Sequence, residues 1–367
     1  MINKMDLTYM KMALDLAAKA KGRTSPNPMV GAVLVKNNKI VGSGYHHFAG
    51  APHAEVEAIK AAGQEAVDST LYVNLEPCNH YGRTPPCTEK IIAAGIKRVV
   101  IAHLDPNPLV SGQGIERLKK NGIVVETGIL EEEAKKLNEV YIKYITTGRP
   151  FVLLKGAMSL DGKIATRTGH SSWITGERAR LKVHELRNEY DGILVGIGTV
   201  LADDPQLTSR LPNYDNRDPI RIILDSQCRI PLTARVLNQK SKAETIVVVS
   251  PQASKDKLEK IKELGARILV VPERDGLLDL EVLIDELGKM QITSLMVEGG
   301  ARVNGSFLAK GLVDKIYLFL APKIIGGNNS LSLIEGWGVD RVEQSIKLKE
   351  LSVEIFGDDL GIIGYPV

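Results

Sequence analysis

The sequence has few cysteines, few aromatic residues and no long uncharged hydrophobic run. Only 3 of its 367 residues are cysteine, which excludes a disulfide framework and favours a reducing compartment such as the cytoplasm. Lys4, Asp6, Lys11 and Asp15 interrupt the N-terminal segment, so no signal-peptide core is expected there. No apolar stretch approaches the roughly 18 residues that a membrane helix needs. We therefore expect a cytoplasmic protein that does not enter a membrane.

A surplus of charge of one sign is missing as well. Lys and Arg together number 47 against 44 Asp and Glu, which leaves a net charge of +3. This balance predicts no general attraction to nucleic acid or anionic lipid, so an anionic substrate must be small and held by a few placed cations. The 44% hydrophobic and 25% charged residues are typical of a globular protein. At roughly 150 residues per domain, the length suggests two domains or three.

Strand and helix signals alternate along the chain and restart after a cluster of helix breakers. Before that cluster the patterns predict helices at 6–20, 52–62, 86–94, 114–120 and 131–146, and strands at 32–35, 39–41, 71–75 and 97–102. Thr147 to Pro150 is the breaker cluster, which predicts one domain over residues 1–147 and a second over 148–367. In the second domain strands are predicted at 151–156, 193–195, 220–224, 245–249, 268–271, 295–297 and 316–320. The expected fold class is two α/β domains, each with helices packed on a sheet.

One histidine and two cysteines in the first domain give the strongest chemical signal. His53, Cys78 and Cys87 form a ligand set that suits zinc and leaves its fourth position open for water. The prolines before His53 and Cys87 predict that both lie in first turns of helices, where thiolate forms are favoured. Glu55, two residues after His53, would take a proton from zinc-bound water and pass it to a leaving amine.

Two other interpretations of these residues stay open. His80 would supply a fourth ligand and make the site structural, because structural zinc sites usually close with four protein ligands. The two cysteines would otherwise be a buried pair that binds no metal.

The motifs around these ligands resemble those of a known family. Zinc nucleobase deaminases carry His-x-Glu with Pro-Cys-x-x-Cys, whereas eight residues separate Cys78 from Cys87 here. The stretch from Glu76 to Cys87, taken with Pro52 to Glu55, closely resembles the bifunctional riboflavin-biosynthesis deaminase–reductase family. Ser25 to Gly31 and Gly44 to His46 match that family too. The resemblance implies a cytidine-deaminase-like domain of three layers, α/β/α.

The resemblance also implies substrate contacts in the first domain. Asn27 and His46 would line the pyrimidine pocket, and Arg83 would meet the ribose 5-phosphate. The alternatives are that Asn27 is a turn residue between two prolines and that Arg83 is a solvated loop charge. His46 is favoured over His47 by the motif alone.

Beyond residue 150 each motif alone is weak evidence of function, and only the set of motifs in their order along the chain is informative. They are Lys155 to Lys163, Ser171 to Ile174, Gly198 to Pro205, Asp225 with Ser226, and Glu298 to Ser306. A strand that ends in two glycines before a helix suits a pyrophosphate, because backbone amides and the helix dipole face the anion. The spacing is not the Gly-x-Gly-x-x-Gly of a doubly wound dinucleotide domain, and a simple turn is the alternative.

As an ordered set these segments resemble the reductase half of the same family, whose fold is similar to dihydrofolate reductase. The resemblance implies that NADPH contacts Ala157, Trp173, Thr199, Asp203, Ser226, Gly300, Ala301, Arg302, Val303, Asn304, Gly305 and Ser306. It implies that the substrate contacts Ser171, Arg187, Leu207, Arg210 and Glu298. Guanidinium groups pair well with phosphate, although either arginine would otherwise be a surface charge. Lys155 would polarise the sugar, or would be a plain strand-end lysine.

The resemblance implies a bifunctional enzyme with one zinc per chain. Zinc-dependent hydrolysis would deaminate 2,5-diamino-6-(5-phosphoribosylamino)pyrimidin-4(3H)-one, and NADPH would then reduce the ribose of 5-amino-6-(5-phosphoribosylamino)uracil to a ribityl chain. A nucleic-acid or nucleoside deaminase with an accessory nucleotide-binding domain is the alternative, and the small net charge, the extended cysteine loop and the reductase motifs argue against it. A non-catalytic binding protein is disfavoured by Glu55 and the complete ligand set. The expected partners are small phosphoribosyl pyrimidines and further copies of the chain.

Overall fold

The computed structural model describes residues 4–81, 85–107 and 110–367. It divides into two compact units, Met1–Gly148 and Arg149–Val367. The last helix of the first unit ends at Thr147, and its C-cap residue Gly148 has a φ of 70°, a left-handed conformation that favours glycine. Among the described residues, no helix is both long and apolar enough to cross a membrane.

The first unit is a mixed five-stranded sheet covered by helices. Its strands are β1 (Gly31–Lys36), β2 (Lys39–Tyr45), β3 (Thr70–Leu75), β4 (Arg98–His103) and β5 (Val124–Thr127). Its helices are α1 (Lys4–Ala18), α2 (Ala54–Ala62), α3 (Cys87–Ala93), α4 (Gln113–Lys120), α5 (Glu131–Leu137) and α6 (Glu139–Thr147), with a 3-10 turn at Gly63–Ala66. The strand order is β2-β1-β3-β4-β5, in which β1 is antiparallel to both of its neighbours and β3, β4 and β5 are parallel.

Alternate residues of β1 belong to two hydrophobic cores, one on each face of this sheet. Ala32 and Leu34 belong to the core that contains the buried residues of α2. Val33 and Val35 belong to the core that contains those of α1. Because successive side chains of a strand point to opposite faces, a fully buried strand requires helices on both sides. The unit therefore has three layers, as the family resemblance implies.

The prediction of a single helix at 131–146 is wrong, because the helix is interrupted at Asn138, between α5 and α6. The Asn138 side chain is buried and uses its polar atoms elsewhere. Its Oδ1 accepts a hydrogen bond from the Met29 backbone nitrogen at 2.8 Å, and its Nδ2 donates to the Met29 carbonyl oxygen at 3.0 Å. Helical periodicity runs through both pieces, so the sequence pattern does not reveal the break.

The second unit has a nine-stranded sheet and a separate two-stranded one. The strands of the large sheet are β6 (Phe151–Ser159), β7 (Gly192–Gly196), β8 (Ile220–Leu224), β9 (Thr245–Val249), β10 (Arg267–Val270), β13 (Ser294–Val297), β14 (Lys315–Ala321), β15 (Leu348–Phe356) and β16 (Asp359–Pro366), and β11 (Glu273–Arg274) and β12 (Leu277–Leu278) form the small antiparallel one. Its helices are α7 (Glu177–Glu189), α8 (Ile197–Asp203), α9 (Lys255–Glu263), α10 (Leu280–Lys289) and α11 (Ala301–Ala309), with a 3-10 turn at Val342–Gln344.

The order of this sheet is β10-β9-β8-β7-β13-β6-β14-β16-β15. The first seven strands in this order, which end with β14, all pair in parallel. β16 and β15 add an antiparallel hairpin at one edge. β7 and β9 are buried along their whole lengths, which explains their continuous apolar sequences. The seven predicted strands of this unit are present, whereas the hairpin at the edge is not predicted by the sequence analysis.

Candidate active sites

Three ligand atoms converge in the first unit. The His53 Nδ1 atom lies 3.1 Å from the Cys87 Sγ atom and 3.6 Å from the Cys78 Sγ atom. Tetrahedral zinc, with Zn–N near 2.0 Å and Zn–S near 2.3 Å, requires nitrogen–sulfur separations of roughly 3.5 Å. The ligand atoms of the three residues all lie within 4.8 Å of one another. The donor set and its spacing therefore fit zinc.

Helix starts position two of these ligands, as the sequence predicts in outline. His53 is the N-cap residue of α2, and Cys87 is the first residue of α3. The prediction that α2 begins at residue 52 is wrong by two positions, so His53 precedes the helix and does not lie within its first turn. α2 sits very close to the sheet at Gly44, where a Cβ atom would stand 2.5 Å from the Cβ atom of Glu57. That glycine lets the helix bring His53 to the ends of the strands.

The two thiols differ in their affinity for a proton. A hydrogen bond from Cys87, which outweighs the effect of burial, lowers the pKa of the Cys78 thiol to about 4. The same contact and burial raise the pKa of Cys87. The backbone nitrogen of Cys87 also donates to the Cys78 Sγ atom at 3.3 Å. Cys78 is therefore a thiolate at neutral pH, the form that binds metal.

Glu55 is the second residue of α2 and is 3% exposed. Burial raises the pKa of its carboxyl, the charge on Cys78 acts in the same direction, and His53 opposes both. A buried carboxyl beside the ligand set is suited to taking up and releasing a proton. His80 is exposed, and among the described residues neither it nor another His, Cys, Asp or Glu joins the three-residue ligand group.

Asn27 and His46 lie together beside the ligands. The Asn27 Nδ2 atom is 3.1 Å from the His46 Nε2 atom, and the His46 ring meets the His53 ring edge-on at 5.5 Å between centroids. His46 is buried, and burial lowers its pKa. His47 is exposed and packs on Tyr45, which is consistent with the preference for His46. Arg83 lies outside the described residues.

Two anchors of this site escaped the sequence analysis. Asn74 accepts a hydrogen bond from the Gly31 backbone nitrogen at 2.8 Å and donates to the Met29 carbonyl, so it fixes the segment that carries Asn27. The buried Glu76 carboxylate accepts hydrogen bonds from the backbone nitrogens of Asp105, Gly112, Gly114 and Ile115. The sequence analysis includes Glu76 only as the first residue of the motif that runs to Cys87, and it gives Glu76 no role.

In the second unit several of the predicted residues lie on, or just beyond, four neighbouring strands of the sheet. Glu298 follows β13, Gly196 ends β7, and Ser226 lies two residues beyond β8. These strands and β6, which carries Lys155, are adjacent and parallel. Their carboxyl ends therefore meet at the same edge, which is where ligands bind in open α/β sheets.

A buried carboxylate at this edge holds two cations. The Lys155 Nζ atom lies 3.2 Å from Glu298 Oε1, and Nη2 of Arg187 lies 2.6 Å from Glu298 Oε2. The exposed fractions of the three side chains are 12%, 14% and 6% for Lys155, Arg187 and Glu298. Burial acts to raise the pKa of Glu298, but the two cations outweigh it and the pKa is lowered. Glu298 is therefore a fixed anion, and it sets the position of the Lys155 ammonium.

Two helix N-termini meet beside this carboxylate. Gly300 is the N-cap of α11 with φ of 83°, and a Cβ atom on Gly299 would come within 3.1 Å of the Thr199 Oγ1 atom. Thr199 lies in the first turn of α8. A Cβ atom on Gly196 would meet a Val303 methyl group at 2.8 Å, so the two helix starts are in close contact. Free amides of two helix starts favour an anionic group such as a pyrophosphate.

The other predicted cofactor residues differ in their surroundings. Asn304 is buried with Nδ2 donating to the Leu333 carbonyl, and a Cβ atom on Gly305 would stand 2.0 Å from the Glu335 carbonyl oxygen. Both therefore pack against the 333–335 segment. Ala157 is half-buried on β6, Asp203 is exposed at the end of α8, and Trp173 is 70% exposed with the Arg180 guanidinium 4.7 Å from its ring centroid. The remaining positions, Ala301, Arg302 and Ser306, lie in the first two turns of α11.

The predicted substrate residues Leu207 and Arg210 lie on the loop that follows α8. Leu207 is buried with φ of 55°, and Arg210 is exposed. Nη1 of Arg187 donates to the Thr208 carbonyl oxygen at 3.2 Å, which holds this loop against α7. Ser171 is half-buried on a loop between β6 and α7. His184, one turn before Arg187 on α7, reaches Arg210 and was missed by the sequence analysis.

Comparisons with known proteins cover both units. The family described as cytidine and deoxycytidylate deaminase zinc-binding region matches residues 3–103, and the family described as RibD C-terminal domain matches residues 150–362. The riboflavin biosynthesis protein RibD of Aquifex aeolicus is 50% identical over 362 residues, which cover 99% of each chain.

Two solved structures are similar along the whole chain. A RibD structure from Acinetobacter baumannii is 39% identical with a TM-score of 0.88, and 99% of each chain is covered. A diaminohydroxyphosphoribosylaminopyrimidine deaminase/5-amino-6-(5-phosphoribosylamino)uracil reductase from Thermotoga maritima is 41% identical with a TM-score of 0.87, again over 99% of each chain.

Proposed function

This chain belongs to the RibD family of riboflavin-biosynthesis proteins, and we propose that the two sites described above carry its two reactions. The enzyme is bifunctional. It deaminates 2,5-diamino-6-(5-phosphoribosylamino)pyrimidin-4(3H)-one with zinc, and it reduces the ribose of 5-amino-6-(5-phosphoribosylamino)uracil with NADPH. Its fold combines a cytidine-deaminase-like unit with a dihydrofolate-reductase-like unit. We assign residues 1–147 to the deaminase domain and 148–367 to the reductase domain.

His53, Cys78 and Cys87 would hold the zinc ion. The His53 nitrogen lies 3.1 and 3.6 Å from the two sulfur atoms, which is close to the roughly 3.5 Å that tetrahedral zinc requires. Bound zinc acts as a Lewis acid that makes water nucleophilic near neutral pH. Three protein ligands leave room for that water, as catalytic zinc sites do.

Glu55 would move the proton in the deamination. Its carboxylate accepts a proton from the attacking water and then delivers it to the departing amine, so that ammonia leaves and a carbonyl replaces it on the pyrimidine. The buried position of Glu55 favours the protonated form between the two transfers. Asn27 and His46, which contact each other next to His53, would orient the ring.

Lys155 would act on the sugar in the second reaction. NADPH supplies the hydride that reduces the ribose. The Lys155 ammonium, held by Glu298 at 3.2 Å, polarises the sugar oxygen and stabilises the negative charge that develops there. Because Glu298 also holds Arg187, the same carboxylate places one cation at the sugar and a second one towards the phosphate.

The cofactor and the substrate phosphate would occupy separate parts of the sheet edge. Gly300 and the first turn of α11, together with Thr199 on α8, would receive the NADPH phosphates. Arg187 and Arg210 would receive the substrate phosphate. Ser171, Leu207, Ala157, Trp173, Asp203, Ser226 and residues 301–306 complete the two sets that we assign to substrate and cofactor.

The observation that carries this proposal is that each unit brings residues of the predicted set into contact around one buried carboxyl group. The test uses the purified full-length chain and the diaminopyrimidine ribosyl phosphate, with product identification by mass. Without NADPH we expect only the deaminated aminouracil, and with NADPH the ribityl product. Formation of the ribityl product from a substrate that keeps its amine would contradict the assigned order, and no deamination by zinc-loaded protein would contradict the first site.

We also propose that the chain is a homo-oligomer that works in the cytoplasm. The edge strand β15 exposes Leu351, Val353 and Ile355 by 62%, 61% and 75% on one face. An exposed apolar strand at a sheet edge is a liability unless another chain covers it, and the same surface of a second copy, related by a two-fold axis, is the simplest cover. A reducing compartment suits a protein whose three cysteines are all unpaired.

Light scattering after size exclusion tests the oligomer. Val353→Lys should shift the chain toward the monomer mass, whereas Leu277→Lys, at an equally exposed residue of the β11–β12 hairpin, should not. A wild-type chain that runs as a monomer would overturn the proposal.

A further inference from the structure

A small group of polar side chains joins α7 to the loop after α8. The Ser209 hydroxyl donates to the His184 carbonyl oxygen at 3.1 Å, and Arg187 donates to the Thr208 carbonyl. These bonds bring the Arg210 guanidinium over α7. The Arg210 Nη2 atom lies 3.5 Å from the His184 Nε2 atom. Arg187 and His184 are one helical turn apart, so both side chains point to the same side of α7.

Arg210 is oriented by neutral oxygens and remains open to solvent. Its Nη1 atom donates to Thr208 Oγ1 at 2.8 Å and to Gln206 Oε1 at 3.1 Å. Neither partner carries charge, so the guanidinium keeps its full positive charge while its direction is fixed. An arginine that is oriented but not neutralised is a favourable ligand for an incoming anion.

The charges that surround His184 are mostly positive. Arg187 and Arg210 face it, and Glu298 is the carboxylate that acts on it. Glu298 is already shared between Arg187 and Lys155, so one anion stands against three cations. Asp218 and Arg235, which also act on Arg210, oppose each other. This excess of positive charge is what a phosphate dianion would neutralise.

His184 is neutral in this arrangement. Burial, then Arg187 and Arg210, lower its pKa to about 4. The Nε2 atom therefore accepts from Arg210, and it does so at the limit of hydrogen-bond distance. The Nδ1 atom is buried, and although the Thr208 carbonyl acts on the ring, Nδ1 makes no hydrogen bond of normal geometry within the described residues.

We propose that His184 is a further ligand of the substrate's phosphate and that it takes up one proton from solvent when the dianion binds. The proposal rests on the proposed reductase site, because it places the phosphate between Arg210 and α7. With the dianion present, Nε2–H becomes a donor to a phosphate oxygen, and Arg210 turns its free N–H groups to the same ion. The proton comes from the buffer, and no covalent bond forms or breaks.

The sign of this effect follows from the charges. Without an anion, the two guanidinium groups disfavour the charged imidazolium form. His184 therefore stays neutral until the pH falls well below 7. A bound dianion reverses the local charge and raises the pKa of the histidine. The phosphate itself has a second pKa near 6 and arginine ligands lower it further, so above about pH 7 the phosphate does not supply or absorb this proton. Proton uptake on binding is therefore specific to the histidine.

Calorimetry measures the uptake directly. The deaminated substrate is titrated into full-length protein saturated with NADP⁺ at about pH 7.5, in two buffers that differ in ionisation enthalpy. We expect the wild type to take up close to one proton per substrate and His184→Gln to take up almost none. Because a charge-assisted hydrogen bond is lost, the Michaelis constant of the reduction should rise roughly tenfold or more in His184→Gln. His47→Gln, a matched change at an exposed histidine of the first unit, should leave both quantities unchanged.

The pH profile and a second variant separate this proposal from the proposed site. Above about pH 7 the wild-type Michaelis constant should rise with pH, because binding needs a proton, and His184→Gln should flatten that rise. If Arg210→Ala leaves the Michaelis constant unchanged, the phosphate site itself is wrong. If Arg210→Ala raises it while the wild type takes up no proton, or while His184→Gln takes up as much as the wild type, the site stands and the role of His184 is overturned.

Discussion

The two proposed sites each contain one buried carboxyl group, and the two groups have opposite electrostatics. Glu55 is 3% exposed, burial raises its pKa, and the charge on Cys78 adds to that effect against the opposing effect of His53. The Glu298 side chain is 6% exposed, but Arg187 and Lys155 together lower its pKa despite burial. Equal burial thus gives one group that can carry a proton and one that is a permanent anion. The charged neighbours of each carboxyl group, and not how deeply it is buried, decide which chemistry the group supports.

The two sites also differ in how far apart their residues lie in the chain. His53 and Cys87 are separated by 34 positions and belong to consecutive helix starts. Lys155 and Glu298 are separated by 143 positions, and Arg187 and Glu298 by 111. The first site is a local motif, whereas the second depends on the order of four parallel strands. Changes to one site should therefore leave the other intact, and each variant below is assayed for both reactions.

The largest effect is expected from a substitution that disables the first site alone. Cys87→Ser leaves two protein ligands, and a site with two ligands holds zinc poorly. We expect the variant to lose its zinc and all deamination while it keeps NADPH-dependent reduction. Metal analysis and the two assays measure this. Cys228→Ser removes an equally buried thiol from the second unit and should retain zinc. A full zinc equivalent bound to the Cys87 variant would contradict the assigned ligand set.

A smaller effect is expected at the glycine turn of the second unit. Gly300 has φ of 83°, which a β-branched residue adopts only with strain of about 1–3 kcal/mol. Gly300→Val should displace the amides at the start of α11 and weaken NADPH binding roughly 10- to 100-fold, while deamination is spared. Quenching or enhancement of NADPH fluorescence gives the dissociation constant. Unchanged affinity in a folded variant would remove this turn from the cofactor site.

Gly305→Ala is a useful contrast on the same helix. Its Cβ atom would stand 2.0 Å from the Glu335 carbonyl oxygen, a contact that the backbone must move to avoid. We expect a lower melting temperature of the second unit. NADPH affinity per folded molecule should change less than in Gly300→Val, because Gly305 lies away from the helix start.

Arg210→Ala should have a smaller effect, confined to one substrate. The lost charge-assisted contact is worth about 1.5–3 kcal/mol, so the Michaelis constant of the reduction should rise at least about tenfold. The affinity for NADPH and the deamination rate should not change. Arg341→Ala, at an arginine whose side chain is 78% exposed, is the matched control. A rise in the NADPH dissociation constant would show that Arg210 belongs to the cofactor site instead.

The sequence predicts the local parts of this structure better than the dispersed ones. The hairpin at Asn37 and Asn38 is present, and both residues have the positive φ values, 50° and 60°, that such a turn needs. The ligand set of the first unit is likewise readable, because its residue types and spacing act within one stretch of chain. Glu76 is not, since its four backbone partners are defined only by the folded loop.

The contacts of the second unit that the sequence does not predict are missed for the same physical reason. Spacing along the chain contains no information that Glu298 would join Lys155 to Arg187, because that contact depends on which strands are neighbours. The hairpin of β15 and β16 was missed although Leu351, Val353 and Ile355 alternate as a strand requires. Its apolar face is exposed in the single chain, so burial, the usual reason for such alternation, is absent within the chain itself.

The most direct test of two independent sites is to measure both reactions on one preparation of Glu55→Gln. The substitution removes the proton carrier and keeps all three zinc ligands, so deamination should fall by at least ~10²-fold with one zinc still bound per chain. Reduction of the already deaminated substrate should proceed at the wild-type rate, because Lys155 and Glu298 are untouched. If the folded, zinc-loaded variant lost both reactions together, the account of two independent sites would be contradicted.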